Sequence, residues 1–180
     1  MCRCFCGSGS PTGSGLRSAT ALRRSVDVQP LRDADREHAR AWLREHWDEA
    51  MAANRELFYP AEHDGFVAGD WDGLITYRIG DGRCEVTLLE ALREGEGIGS
   101  TLLDATVAAA RDAGCTHLWL VSTNDNLHAL EWYRRKGFTV AEVRRGAVDC
   151  SRETLKPSIP THNPDNGLPI SDEIVLSLSL

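Results

Sequence analysis

Three glycines at alternate positions, Gly95, Gly97 and Gly99, sit inside the run from Arg93 to Leu103. Without side chains there, the backbone can turn tightly and come close to a bound group. The N–H groups of Glu96, Gly97, Ile98, Gly99 and Ser100 can then converge on one anion. An alanine-rich pattern over 100–113 predicts a helix that follows, and its unpaired first-turn donors and positive dipole end add to the attraction. An extended run, a glycine loop and a helix N-terminus together make a phosphate cradle. Spacing excludes two common phosphate loops. Gly99 is followed by Ser100 and Thr101 rather than by Lys and a hydroxyl residue, and Gly95-x-Gly97-x-Gly99 is not Gly-x-Gly-x-x-Gly. A ligand-free glycine turn would read the same way, so a second cluster is needed to decide.

That cluster lies downstream. Asn126, Ala129 and Tyr133 are spaced by three and four residues, with Gly137 and Phe138 after them. On a helix the first three share a face that looks back over the end of the preceding strand. The segment resembles the Asn-x-x-Ala-x-x-x-Tyr-x-x-x-Gly-Phe of the GNAT N-acetyltransferase superfamily. The glycine loop resembles that family's acetyl-CoA pyrophosphate site, Gln/Arg-x-x-Gly-x-Gly/Ala. Both stand in the family's order and at about its separation, and the pattern of strands and helices matches over 26–180. One departure is electrostatic. The family's Gln or Arg falls on Glu94, with Arg93 one place earlier. A carboxylate beside a pyrophosphate is unfavourable, so Glu94 is expected to point away and Arg93 to make the charge contact. Thr123-Asn124-Asp125-Asn126, Gly146-Ala147-Val148-Asp149 and the tail between Lys156 and Pro160 further resemble a group of small bacterial members of the family, a resemblance that assigns no acceptor.

The resemblance implies direct acetyl transfer from acetyl-CoA, in a ternary complex, to a primary amine of a small molecule, peptide or protein. It places the pantetheine along 84–89, with the N–H of Leu88 or Leu89 stabilising the oxyanion. Arg93, Gly95, Glu96, Gly97, Ile98, Gly99 and Ser100 would hold the coenzyme with Asn126, Ala129 and Tyr133. Tyr133 would be the general acid for the leaving thiolate, and otherwise a packed aromatic. Asn126 reads as a pantetheine or water ligand or as a helix cap. For the base, Glu85 is the choice, since alternation puts it on one face with Thr87 and Leu89; Glu90 lies just past the strand end. Trp132 is expected to face elsewhere, and His117 and His128 to be surface or core residues. No His/Cys/Asp cluster suggests a metal. A non-catalytic acyl-CoA-binding sensor or interaction module of the same fold is the alternative.

The elements that must position these groups form an α/β (α+β) order, a mixed, mostly antiparallel six- to seven-stranded sheet flanked by helices. Val26 to Leu31 reads as a strand, and Asp33 or Asp35 can cap a helix reaching about His46. Residues 48–64 carry no readable pattern and are expected to lie over one end of the sheet, and the acceptor pocket is expected to be built largely from 32–64. Gly65 to Gly69, Gly73 to Ile79 and Cys84 to Leu89 form an antiparallel meander into the loop. The helix after it would bury Ile98, Leu102, Thr106, Ala109 or Ala110, and Ala113, and stop at Gly114. Strand 116–122 then parallels 84–89 through this crossover. A helix over 127–136, a strand over 138–144 and a short helix within 145–156 follow. The alternating run Ile174 to Leu180 is a final strand pairing with 138–144.

Composition narrows the function classes. The chain has 180 residues, 42% hydrophobic and 26% charged, with a formal charge of −7. That is one soluble domain, with no run near the ~20 apolar residues of a membrane span. Residues 1–26 hold Arg3, Arg17, Arg23 and Arg24 and no acid, so the body is more acidic than the whole. An acidic body argues against nucleic acid and suits a cationic or amine substrate. Residues 1–25 read as a disordered extension, where Cys2, Cys4 and Cys6 match no zinc spacing. The domain is 26–180, the compartment expected is cytoplasmic, and a homodimer is left open.

Overall fold

The computed structural model describes residues 26–180; the extension at 1–25, with its three cysteines, lies outside the described residues. The core of the fold is a seven-stranded sheet. Its first half is the expected meander, β4 (Asp64–Ala68), β5 (Gly73–Gly80) and β6 (Arg83–Ala91), with β1 (Val28–Pro30) on its outer edge. The helix after the glycine loop, α2 (Ile98–Asp112), is the crossover to β7 (His117–Thr123), which runs parallel to β6. Every other neighbouring pair is antiparallel. The chain continues through α3 (Leu127–Arg135), β8 (Thr139–Arg144), α4 (Ala147–Thr154) and β9 (Glu173–Ser179). The last strand does pair with β8, and it also pairs with β7, because it is inserted between the two. Among the described residues no helix is long and apolar enough to cross a membrane.

Segment 48–64, unreadable beforehand, holds a separate hairpin of β2 (Met51–Ala53) and β3 (Glu56–Phe58). Its two turn residues, Asn54 and Arg55, both have positive φ, the backbone that a two-residue hairpin turn demands. The hairpin and α1 (Arg36–His46) cover one face of the sheet, meeting Val67, Leu74, Leu88, Val121 and Val175 there. Asp35 precedes α1 without capping it. Its carboxylate instead accepts from the backbone and guanidinium of Arg32.

On the other face α2 and α3 bury Ile98, Leu102, Leu103, Ala110, Ala129 and Tyr133 against Ile75, Val86, Leu89, Leu118, Leu120 and Leu176. Ala113, expected on that buried face, is exposed at the helix end. The tail from Lys156 to Ile170 packs with α4 on the outer side of the hairpin, through Ala52, Val148, Ile159 and Ile170.

Gly73 lets β5 pass directly under the start of α2. A Cβ there would lie 2.7 Å from Ile98 Cγ2 and 2.9 Å from the Glu90 carbonyl oxygen. Gly73→Ala is therefore expected to cost about 1–3 kcal/mol in urea unfolding, as overpacking does. An unchanged midpoint would mean that α2 does not rest on β5 in this way.

Candidate active site

β6 carries one residue more than its neighbour can pair. Thr76 is opposite Leu88 and Tyr77 opposite Val86, which leaves Thr87 as a bulge. A bulge bends its strand and increases the local twist. The parallel pairing to β7 ends at Val86 and Leu120, immediately before the extra residue. From Thr87 to Ala91 the backbone of β6 has β5 on one side and no strand on the other, so β6 and β7 diverge. The bulge also shifts the alternation. Cys84, Val86 and Leu89 face α2 and α3, whereas Leu88 faces α1 and the hairpin. The expectation that Leu89 shares a face with Glu85 and Thr87 is therefore corrected: Leu89 is on the opposite side.

On the α2/α3 face the divergence opens onto a cleft of about 450 Å³, lined by Leu89, Ala91, the loop from Arg93 to Ser100, and His128, Trp132, Arg135 and Lys136 of α3 and its end. Gly97 stands at the N-cap of α2 with φ of 85°, and Gly95 has φ of 75°. Neither position has an atom within 4 Å of where a Cβ would be, so the space over the loop is empty of side chains. At Gly99 a Cβ would sit 3.5 Å from Trp132, so that ring forms the wall opposite the loop and does not face elsewhere. Leu89, Arg93, Gly95, Gly97, Ile98, Gly99 and Ser100 are thus brought together as expected; Glu96 lies in the same loop.

The charges differ from expectation. The Arg93 guanidinium is held by Asp72 of the β4–β5 turn at 2.6 Å and by Glu96 at 3.0 Å, so its charge is already met. Glu94 has not turned away: it lines the cleft with its carboxylate 3.9 Å from His128 Nε2. The other basic groups lining the cleft are Arg135, 4.0 Å from Glu131 across the surface of α3, and Lys136, with Nζ 5.4 Å from the Trp132 ring centroid.

On the opposite face two carboxylates occupy β6. Glu85 is tied to Arg78 Nε at 2.6 Å, and Arg78 in turn grips Glu56. It lies level with Trp119 in the paired half of β6, before the divergence. Burial pushes its carboxyl above the usual range, opposed by Arg78. Glu90 lies in the diverging half, 3% exposed, and accepts from Trp47 Nε1 at 2.6 Å. Trp47 also lines a recess of about 220 Å³ with Thr123, Asp125, Asn126 and the tail residues Lys156, Ile159 and Ile170. A cleft on one face and a recess on the other therefore flank the same gap. Asn126 caps α3, its side chain accepting from the Ala129 amide at 3.4 Å, and it borders the recess. Tyr133 is 1% exposed, packed between Trp132 and Phe138, and Ala129 is fully buried beside it in the same cluster.

The Acetyltransferase (GNAT) family profile matches residues 24–138. The chain belongs to the GNAT acetyltransferase family. It is 39% identical over 137 residues to the uncharacterised protein YdhI of Bacillus subtilis (strain 168), covering 73% of this chain and 84% of that one. It is 34% identical over 118 residues to the streptothricin acetyltransferase of Streptomyces lavendulae, covering 62% and 61% respectively. Among solved structures it resembles a GNAT family acetyltransferase from Elizabethkingia anophelis with acetyl-CoA bound. There the TM-score is 0.58 and the identity 17%, over 86% of this chain and 98% of that one. As a GNAT acetyltransferase the protein is an acyltransferase, and its mixed sheet with flanking helices is that family's fold.

The acetyltransferase holds Thr87 Oγ1 2.8 Å from Thr76 Oγ1 and 2.9 Å from His63 Nδ1. Burial holds the His63 imidazole below its ordinary range, with Arg78 adding to the effect. The unfolded chain binds a proton near pH ~6.5 while the folded chain resists it. His63 thus adds stability that is complete above that pH and is lost as pH falls through the folded value. Thermal unfolding between pH 7.5 and 5.5 should show this loss in wild type and a flatter profile in His63→Gln. Parallel profiles would contradict it.

Proposed function

We propose that this acetyltransferase moves an acetyl group from acetyl-CoA directly to a primary amine of a small molecule, with both substrates bound at once. The observation that carries the reading is the gap at Thr87–Ala91, with a glycine cradle on one side and a carboxylate-lined recess on the other. The cradle fits a pyrophosphate: the open positions at Gly95 and Gly97 admit one, and the first residues of α2, whose amides no side chain caps, line the cleft. The acetyl-CoA of the Elizabethkingia anophelis protein, on the same fold, supports this choice of cosubstrate.

In this reading the amides from Gly95 to Ser100 hold the pyrophosphate, and Arg135 and Lys136 balance its charge in place of Arg93. The pantetheine follows the unpaired edge of β6, and the N–H of Leu88 or Leu89 donates to the carbonyl oxygen as it becomes an oxyanion. Acetyl-CoA supplies the acetyl group as an activated thioester. Tyr133 gives a proton to the departing sulfur. Glu90, not Glu85, takes the proton from the attacking amine: Arg78 already occupies Glu85, while Glu90 sits beside the gap under the Trp47 indole. Asn126 sets the start of α3 and so the direction in which Tyr133 is offered. A small-molecule acceptor accords with the streptothricin acetyltransferase relative and with the modest recess.

Thiol release from acetyl-CoA across a panel of primary amines tests the proposal. Wild type should turn over at least one amine. Tyr133→Phe and Glu90→Gln should each lower kcat by about 10²-fold or more. Full turnover in Tyr133→Phe would remove it as the acid, and silence across the panel would contradict the small-amine reading.

A further inference from the structure

The recess beside Trp47 holds a buried carboxylate with no ion-pair partner among the described residues. Asp125 is 2% exposed and lines the recess. Its Oδ2 accepts from Asn163 Nδ2 at 2.7 Å, and its backbone carbonyl accepts from Asn166. Its Oδ1 is buried and has no hydrogen-bond partner among the described residues. A buried acceptor left unmade is costly, and more so when charged. The one cation in the wall, Lys156, is 2.8 Å from Asp48, holds the Asp48 carboxyl below its usual range, and donates to the Ala50 carbonyl. The Asp48–Lys156 pair cancels, so the charge left facing the recess is that of Asp125.

The wall around it is built, not incidental. Arg152 bonds the carbonyls of Ile159, Pro160 and Ile170, and Asn124 clasps the backbone of Pro169, Ser171 and Asp172. The segments 123–126, 146–149 and 156–160 stood out in the sequence for a resemblance that assigned no acceptor; here they meet around one cavity and its supports. Lys156, Ile159 and Ile170 also lie beyond residue 138, where the family match ends. The remaining lining, Trp47, Ile159, Pro160 and Ile170, is apolar. At about 220 Å³ the space equals that of about seven liquid waters.

We propose that this recess is the acceptor subsite and that Asp125 anchors in it a second cationic group of the acceptor, the substrate class being a small diamine-like molecule with a short apolar spacer. The inference rests on the acetyl-transfer reading. The amine to be acetylated lies at the Trp47–Glu90 end, and its companion ammonium pairs with the Asp125 carboxylate. A site built to bond a charged group rejects the analogue that lacks it.

Thiol-release kinetics with 1,4-diaminobutane and 1-aminobutane test this. Wild type should favour the diamine by at least about tenfold in kcat/KM. Asp125→Asn should abolish that advantage, the change falling on KM rather than kcat. Ser158→Arg, at an exposed lining position, should do the same by placing a rival cation there while Asp125 and its bond to Asn163 stay in place. Equal use of the two amines by wild type, or a diamine preference retained in both variants, would overturn the proposal. If neither amine is acetylated, calorimetry with 1,4-diaminobutane separates the two claims. Binding to wild type that both variants lose would uphold the subsite although transfer fails, and no binding to wild type would overturn it.

Discussion

Everything at this site depends on Thr87 being one residue too many. β5 pairs on either side of it, its hydroxyl is fixed by Thr76 and His63, and the ladder to β7 stops at the residue before it. With regular pairing β6 would lie against β7 to its end, and a closed sheet would separate the two faces. The bulge bends β6 away instead. By shifting the alternation it also gives Leu89 the cleft face and Glu90 the face under Trp47, the reverse of what an unbroken strand would give.

The two faces then divide the work by charge. On the α2/α3 side the donors are backbone amides freed by glycine and two basic residues at the end of α3, while the acids of the loop are spent on Arg93 and set against His128. That is an environment for an anionic ligand. On the α1/hairpin side Glu90 is buried under the Trp47 indole, and Asp125 lines a recess with mostly apolar walls. Separation by the sheet keeps opposite charges from neutralising one another, which a single mixed pocket would not.

The loop and α3 were legible because their structure depends on local spacing: glycines two apart for a turn into a helix, and Asn126, Ala129 and Tyr133 on one helical face. The meander, the crossover and the terminal alternating strand were legible for the same reason. Thr87 was not, since a bulge is one residue in an otherwise regular alternation, and counting through it put Leu89 on the face of Glu85 and Thr87. The hairpin escaped because each strand is three residues long, too short for a period, and its turn uses Asn54-Arg55 without a glycine. The recess escaped because its wall is a turn-rich tail held by bonds from Asn124, Asp125 and Arg152, which join segments distant in the chain. Arg135 and Lys136 were visible as charges, but only the fold shows that they face the glycine loop.

Calorimetric titration of acetyl-CoA into wild type and Gly97→Trp reads the central claim most directly. The indole would fill the open space over the cradle while leaving the gap between β6 and β7 untouched. The account predicts saturable binding to wild type and none to the variant, with both proteins folded by circular dichroism. Equal binding by the two would mean that the coenzyme does not use the glycine loop, and the assignment of the two faces would fall with it.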